Sequence, residues 1–469
     1  MTSPTPTTLL APLLAARGGP HRREAARLLR LGGPIAAVGL LNMGMSLTDM
    51  VMMGWLGSLE LAAGAVFGDF YSLLFYFAAG VLAALAPMIA HGRGAGDGGG
   101  LGGLAAAGLV AAAALGAAGI GVMWWSADLL AGLGIDGRLV DAGAPYGRAM
   151  AATFAAMVVV AVWRNLFAAH GRPAVFMWFT AAALPLNALG NHVLMTGAWG
   201  LPALGVAGVG LSSFLVALFL AVGLGLYAVA GARLLRLRDL AAGGLAVRLE
   251  ELFRLGLPMG VTALGEVGVF LAATVVIGIF GAEAVAAHAI VLRVAGVIYG
   301  PVMGLSQAAT IRTAFALGRG DGALRRRCED VALAMGWVLG GLLMAGCLAL
   351  AGVLPWLFLD AADPGAAAVA AAAAALFPIL AVQEFAEAPG ATTLGILRAH
   401  RDTRVPMVLT VASHWGAGLL PGLVLAFAAG MGAQGIWLGL ALGTACASVA
   451  AFWRHGALRR RASVAAQPC

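Results

Sequence analysis

Five of the 21 acidic residues lie inside long apolar stretches: Asp49, Asp69, Glu266, Glu384 and Glu387. A charge held in hydrocarbon costs at least ~2.5 kcal/mol, so such groups face a cavity and handle ions or polar cargo, or pair with Arg to pin two helices. Asn42, Ser46, Asp49 and Met53 recur at i, i+4, i+7 and i+11, which is one stripe of a helix. Asn187 and Asn191 lie one turn apart, just after Pro185. An acid with two carboxamides can take up a proton or ligate a small hard cation through oxygen. An Asn pair can equally glue helices together. Glu384 and Glu387 share a helix face, and Pro378 and Pro389 bracket them. Each proline removes a backbone hydrogen bond and bends the helix there.

The elements that carry these groups follow from composition. Of 469 residues 61% are hydrophobic and only 10% are charged, against roughly 25% charged in a soluble domain. A cytosolic enzyme, a secreted domain and a disordered chain are excluded, because none could stay dispersed with so few charges. The chain offers twelve apolar stretches of the length that crosses a bilayer as a helix, about 20 residues. They begin near Leu31, Leu61, Leu101, Ala142, Pro173, Ala203, Leu255, Ala284, Val331, Ala367, Val405 and Gly432. No segment alternates as a membrane β-strand would.

All 28 basic residues are Arg. They gather in the first tail, in every second loop and in the last tail. The opposite loops hold Arg138 beside Asp128, Asp136, Asp360 and Asp363. By the positive-inside rule both termini are cytoplasmic, so the net charge of +7 reports topology and not nucleic acid. The short run Leu9–Ala16 has no basic residue ahead of it and reads as part of a cytoplasmic tail, not a signal peptide.

The chain also resembles itself. Leu31-Gly-Gly-Pro34 returns as Leu255-Gly-Leu-Pro258, and Gly57, Ala62-Ala63 and Asp97 return as Gly281, Ala286-Ala287 and Asp321, all 224 residues on. This predicts an all-α polytopic protein: a cytoplasmic tail (1–30), a six-helix bundle (31–230), a cytoplasmic linker (231–254), a second six-helix bundle (255–454) and a final tail (455–469). Parallel repeats of this kind point to transport by alternating access.

Depth follows from the 1.5 Å rise per residue. Glu266 and Glu387 lie roughly 15–16 Å from the inner side, and Asp49 with the Asn pair roughly 20–28 Å from it. Arg293 lies roughly 28 Å outward of Arg312, near the depth of Asp49, and pairs with it or balances cavity charge. Asp69 sits among Phe67, Phe70, Tyr71, Phe75 and Tyr76, a patch that lines a cleft or faces core. His288 and His414 read as packing or hydrogen-bonding residues. Cys328, Cys347, Cys446 and Cys469 have neither disulfide nor zinc spacing. Without a Lys there is no nucleotide-phosphate loop of the Gly-x-x-x-x-Gly-Lys type.

Several segments together resemble the multidrug and toxic compound extrusion (MATE) family. They are Thr48-Asp49-Met-Val-Met-Met-Gly54 with Leu61-Ala-Ala63, Leu186-Asn187-x-x-x-Asn191 with Gly197, Leu255-Gly-Leu-Pro258 with Glu266, and Val285-Ala-Ala-His288. The last is Gly395-Ile-Leu-Arg398-x-x-Arg-Asp402-Thr403-Arg404-x-Pro406. The resemblance covers Leu31 to Arg454. It implies secondary active multidrug efflux, an antiport of amphiphilic, mostly cationic compounds against H⁺ or Na⁺, by a monomer in the bacterial inner membrane that needs no cofactor, metal or nucleic acid. It also implies cation-coupling roles for Asp49, Asn187, Asn191, Glu266 and Glu387, the last by charge where many members have Asp. Gln383 matches a polar cleft position, and Asn42, Met53, Glu384 and Arg293 are the further residues expected to line the substrate cleft. The alternative is a lipid-linked oligosaccharide or lipid flippase of the same superfamily, whose cavity would be strongly basic. A non-transport membrane enzyme would need a clustered His/Asp motif at a membrane face, and the sequence has none.

Overall fold

The computed structural model describes residues 19–98, 100–232, 234, 244–360 and 362–465. The run Leu9–Ala16, linker residues 233 and 235–243 and residues 466–469 lie outside the described residues.

Among the described residues, twelve helices are long and apolar enough to cross a membrane. They are α1 (Pro20–Leu56), α2 (Ser58–Ala95), α3 (Gly100–Trp124), α4 (Gly137–Ala169), α5 (Pro173–Thr196), α6 (Val206–Gly231), α7 (Leu245–Phe280), α8 (Ala282–Gly318), α9 (Gly322–Leu350), α10 (Ala366–Ala399), α11 (Arg404–Phe427) and α12 (Gly432–Arg461). Helix is the expected solution, because lipid offers no partner to a backbone N–H or C=O. The helices α1 and α7 begin about ten residues before the apolar stretches do. Their first turns are charged, and hydropathy marks only the part of a helix that lipid must solvate.

The internal repeat is visible in the backbone. Gly96 and Gly320 both close their helices in the left-handed region, at φ 77° and 68°, a conformation that a Cβ disfavours. The next residues cap the following helices. Asp97 Oδ1 accepts from the Gly100 N–H at 3.0 Å, and Asp321 Oδ1 accepts from the Leu324 N–H at 2.8 Å.

The chain divides into two compact units. One takes the chain up to Ala36 and from Val261 onward, and the other runs from Ala37 to Gly260. The two switch points are themselves 224 residues apart, and each lies two residues after a proline inside its helix, Pro34 in α1 and Pro258 in α7. Each unit therefore incorporates the first part of a helix whose remainder belongs to the other unit. Glycine makes both packings possible. A Cβ on Gly32 would lie 2.9 Å from the Gly304 carbonyl oxygen of α8, and one on Gly260 would lie 2.8 Å from the Phe77 oxygen of α2.

In the unit containing the second half, the core gathers Val269, Val291, Phe377, Leu380 and Trp437. His288 is fully used there. Trp437 Nε1–H donates to its Nδ1 at 3.2 Å, so Nε2 carries the proton toward Thr274 Oγ1 at 2.8 Å. Near the start of α1, Glu24 is buried and accepts from Arg312 of α8 at 2.6 and 2.8 Å, with Cys328 Sγ of α9 at 3.3 Å. Glu329, fully buried on α9, meets His400 at 2.8 Å, Arg459 at 3.0 Å and His455 at 3.4 Å, joining α9 to the end of α10 and to α12. In the other unit the core holds Met52, Met53, Phe67, Met123 and Tyr146. Pro87 breaks α2 at Ala83 and Ala84, and Asn165 Nδ2 of α4 donates to the Leu82 carbonyl beside the break at 3.3 Å.

Candidate functional site

Two groups of the expected residues come together, one in each unit. In the first, Asp49 Oδ1 of α1 accepts from Asn191 Nδ2 at 2.6 Å and from Asn187 Nδ2 at 3.1 Å, both on α5. Asp49 Oδ2 accepts from Ser213 Oγ of α6 at 3.4 Å. All three donors are neutral. A carboxylate only accepts, so both amides must present nitrogen to it and turn their oxygens away. Those two oxygens, Asn187 Oδ1 and Asn191 Oδ1, are buried and without a partner. Buried acceptors left unpaired are uncommon and need an explanation. Carboxylate, amide and hydroxyl oxygens are the donor set that suits a proton or a hard cation, and the two amide oxygens have no protein partner.

Local sequence accounts for the positioning. Pro185 lies two residues before Asn187, and Ser212 Oγ of α6 donates to the Asn187 carbonyl at 3.2 Å, fixing α5 against α6 at this level. Gly190 admits that contact, since a Cβ there would meet the Ser212 side chain. Ser213 escaped the sequence reading. It sits in an ordinary Ser-Ser step of an apolar span, and only its depth on α6 marks it.

In the second unit, Glu387 of α10 lies within electrostatic range of Glu266 of α7, His414 of α11 and Arg398 of its own helix. Two hydrogen bonds hold the surrounding helices. Trp415 Nε1–H donates to the Gly265 carbonyl at 3.0 Å, and Ser448 Oγ of α12 donates to the Ala386 carbonyl at 2.9 Å. His414 and Trp415 lie in a π-helical turn, Ala412–Leu419, a local geometry frequent at functional sites. The Thr410 carbonyl accepts from His414 Nδ1 at 2.9 Å, leaving Nε2 as the position that can accept a proton. His414 is buried and hydrogen-bonded, as its sequence setting suggests, and it also lies in electrostatic range of Glu387.

The remaining candidates are placed differently. Gln383 and Glu384 are both buried on α10, and Gln383 Oε1 and Glu384 Oε2 have no partner. Cys347 of α9 is in electrostatic range of Glu384. Met53 is not at a surface of its unit but packs in the core, where its sulfur fills the space that a Cβ on Gly64 would take. Asn42 is exposed. Arg293 is exposed on α8, in the unit that does not contain Asp49. Among the described residues, no group of three or more His, Cys, Asp or Glu could hold a metal ion. Besides Arg293, Arg148 and Arg164 also stand inside a membrane-crossing helix, α4.

Comparison with known proteins bears on the whole chain. The sequence profile of the MatE family matches residues 34–193 and again 258–424, once per repeat. A probable multidrug resistance protein NorM of Agrobacterium fabrum is 32% identical over 441 residues, covering 90% of this chain and 91% of that protein. The multidrug resistance protein NorM of Burkholderia vietnamiensis is 32% identical over 433 residues, covering 92% and 94%. The fold is that of the eukaryotic MATE transporter AtDTX14 (TM-score 0.82, 20% identity, covering 92% and 96%). It is equally that of a MOP superfamily transporter from Pyrococcus furiosus (TM-score 0.83, 20% identity, covering 100% of each chain). With both repeats matched by one profile and relatives aligned over nine-tenths of its length, the chain is an integral membrane protein of the MatE family of transporters.

Proposed function

We propose that the protein is a secondary active antiporter that exports amphiphilic, mostly cationic compounds against an inward flow of H⁺ or Na⁺, with both termini cytoplasmic and the bacterial inner membrane as its site. The observation that carries this reading is the state of its intramembrane carboxylates. Asp49 is bound only by neutral donors, and Glu387 faces a second carboxylate. Buried charges left uncompensated are costly, and they are retained where a mobile cation supplies the compensation. The names of the multidrug resistance relatives support a drug-like cargo.

A cation entering from outside neutralises these acids and weakens their hold on a cationic cargo, which leaves outward. The membrane potential adds about 2.3 kcal/mol per charge per 100 mV. Asp49, Asn187, Asn191 and Ser213 form one cation site, and Glu266, Glu387 and His414 form the other. The test uses proteoliposomes loaded with ethidium, with H⁺ and Na⁺ gradients imposed separately. Efflux should follow one of the two gradients and be lost in Glu266→Gln and Glu387→Gln. If both variants keep wild-type gradient-driven efflux, the assignment of the second site is wrong. If neither gradient drives efflux, antiport itself is wrong.

A further inference from the structure

Glu329 belongs to neither cation site. It stands about two turns into α9 and is fully buried. Three side chains converge on its carboxylate. His400, which caps the end of α10, lies 2.8 Å from Oε1, while Arg459 and His455 of α12 lie 3.0 and 3.4 Å from Oε2. A carboxylate only accepts, so both imidazoles present Nε2–H to it. Each Nδ1 is then the position open to a proton, and neither has a hydrogen-bond partner among the described residues.

Charge in this cluster does not balance. Arg459 divides its guanidinium between Glu329 and Asp330, at 3.0 and 2.6 Å. Two carboxylates therefore share one permanent cation while both imidazoles are neutral. The charged neighbours are engaged elsewhere. Arg454 of α12 pairs with Asp402 at 2.6 Å, Arg312 of α8 pairs with Glu24 of α1 at 2.6 Å, and Arg398 of α10 is in electrostatic range of Glu387. A buried carboxylate left short of positive charge is costly. One proton on the imidazole pair makes up the difference, and imidazole is the side chain that takes up and loses a proton near neutral pH.

The internal repeat supplies a comparison. His170 caps α4 as His400 caps α10. The His170 Nδ1–H donates to the Leu166 carbonyl of its own helix at 2.8 Å. The residue 224 positions before Glu329 is Ala105. Ending the helix therefore requires neither the carboxylate nor a second imidazole.

The cluster also holds a turn that bears on the second cation site. Arg401, between His400 and Asp402, is left-handed at φ 61°, a strained conformation for a residue with a Cβ. The turn is fastened on both sides, by His400 to Glu329 of α9 and by Asp402 to Arg454 of α12. It joins α10, which carries Glu387, to α11, which carries His414.

We propose that Glu329, His400 and His455 form a third proton-binding site, and that its proton clamps the α10–α11 turn in the transport-competent position. The clamp rests on the export reading above and deepens it: by the topology proposed there the cluster faces the cytoplasm, so cytoplasmic pH regulates the second cation site through this turn. These are positioning residues. A charged imidazole makes the stronger hydrogen bond to a carboxylate. The folded chain therefore gains stability where the imidazole is charged and loses it as pH rises through neutrality.

The experiment uses the purified full chain and two readouts. In the double variant His400→Gln with His455→Gln, each amide keeps a donor for Glu329 and takes no proton. Thermal unfolding in detergent is followed between about pH 6 and pH 8. Across that range the wild-type midpoint should fall by about 2 °C or more relative to the double variant. Proteoliposomes then report ethidium efflux under one fixed gradient, with the pH of both faces shifted together over the same range. Wild-type efflux should fall about fivefold or more toward the alkaline end, and the profile of the double variant should be flatter. Glu329→Gln should lose both pH dependences as well. An unfolding profile shared by wild type and the double variant overturns the proton site. If the unfolding difference appears but both proteins share one efflux profile, the clamp is overturned and the export reading stands. If no gradient drives efflux in the wild type, the export reading falls and the clamp with it, while unfolding still decides the proton site.

Discussion

Asn191 donates to Asp49 Oδ1 at 2.6 Å while its own Oδ1 is buried with no partner. The amide is thus oriented by the carboxylate and leaves an acceptor for something the protein does not itself supply. Asn191→Leu keeps the volume and removes both functions. Gradient-driven efflux should fall about tenfold or more, the scale of a 1–3 kcal/mol coupling, with an unchanged thermal unfolding temperature. Asn191→Asp adds a negative ligand and should raise the Na⁺ dependence of transport relative to its pH dependence, measured as initial efflux rate against each gradient.

Glu266, Glu387 and His414 share one neighbourhood, so their substitutions should not add. Glu266→Gln and Glu387→Gln should each remove most of the gradient-driven flux, and the double variant should be little worse than either alone. Efflux rates across a double-mutant cycle check this, since residues acting as a unit give a large interaction energy. Additive losses would separate the two acids into independent sites.

The Glu24–Arg312 pair fastens the first part of α1 to α8, with Glu24 only 1% exposed. Glu24→Ala leaves Arg312 without its buried partner and should destabilise that unit by about 3–5 kcal/mol. Replacing both residues by apolar ones of similar size, Glu24→Met with Arg312→Met, should recover most of it. Chemical or thermal unfolding in detergent measures the difference.

The Gly32–Gly304 approach tolerates no side chain, whereas a Cβ on the adjacent Gly33 meets nothing within 4 Å. Gly32→Val should therefore abolish folding or transport. Gly33→Ala should be tolerated and should stabilise α1 by about 1 kcal/mol through helix propensity. Expression level and thermal unfolding of the two variants, side by side, test the contact. By the repeat, Gly256→Val on α7 should behave like Gly32→Val.

Much of the fold was legible because lipid imposes a simple rule. A backbone without water must form helices, so each apolar stretch from Leu31 to Gly432 marks one. The 224-residue offset between Pro34 and Pro258 likewise declared the repeat. The candidate site was legible where a residue is costly in its setting. Asp49, Glu266 and Glu387 stand out because a carboxylate in hydrocarbon demands a reason. Ser213 and His414 did not, since a hydroxyl or imidazole in a span is cheap and common.

By itself, the amino-acid sequence determined the number of helices and the repeat, because these follow from hydropathy and the length a helix needs to cross a bilayer. Tertiary structure alone decided which side chains meet. Residues 138 positions apart, Asp49 and Asn187, become partners only when α1, α5 and α6 pack. The same packing buries Met53 in a core when its stripe suggested a lining. It also sends the first parts of α1 and α7 into opposite units, because Gly32 and Gly260 let backbones approach where any Cβ would collide. Helix register lists the candidates, and the azimuth at which neighbouring helices dock selects among them.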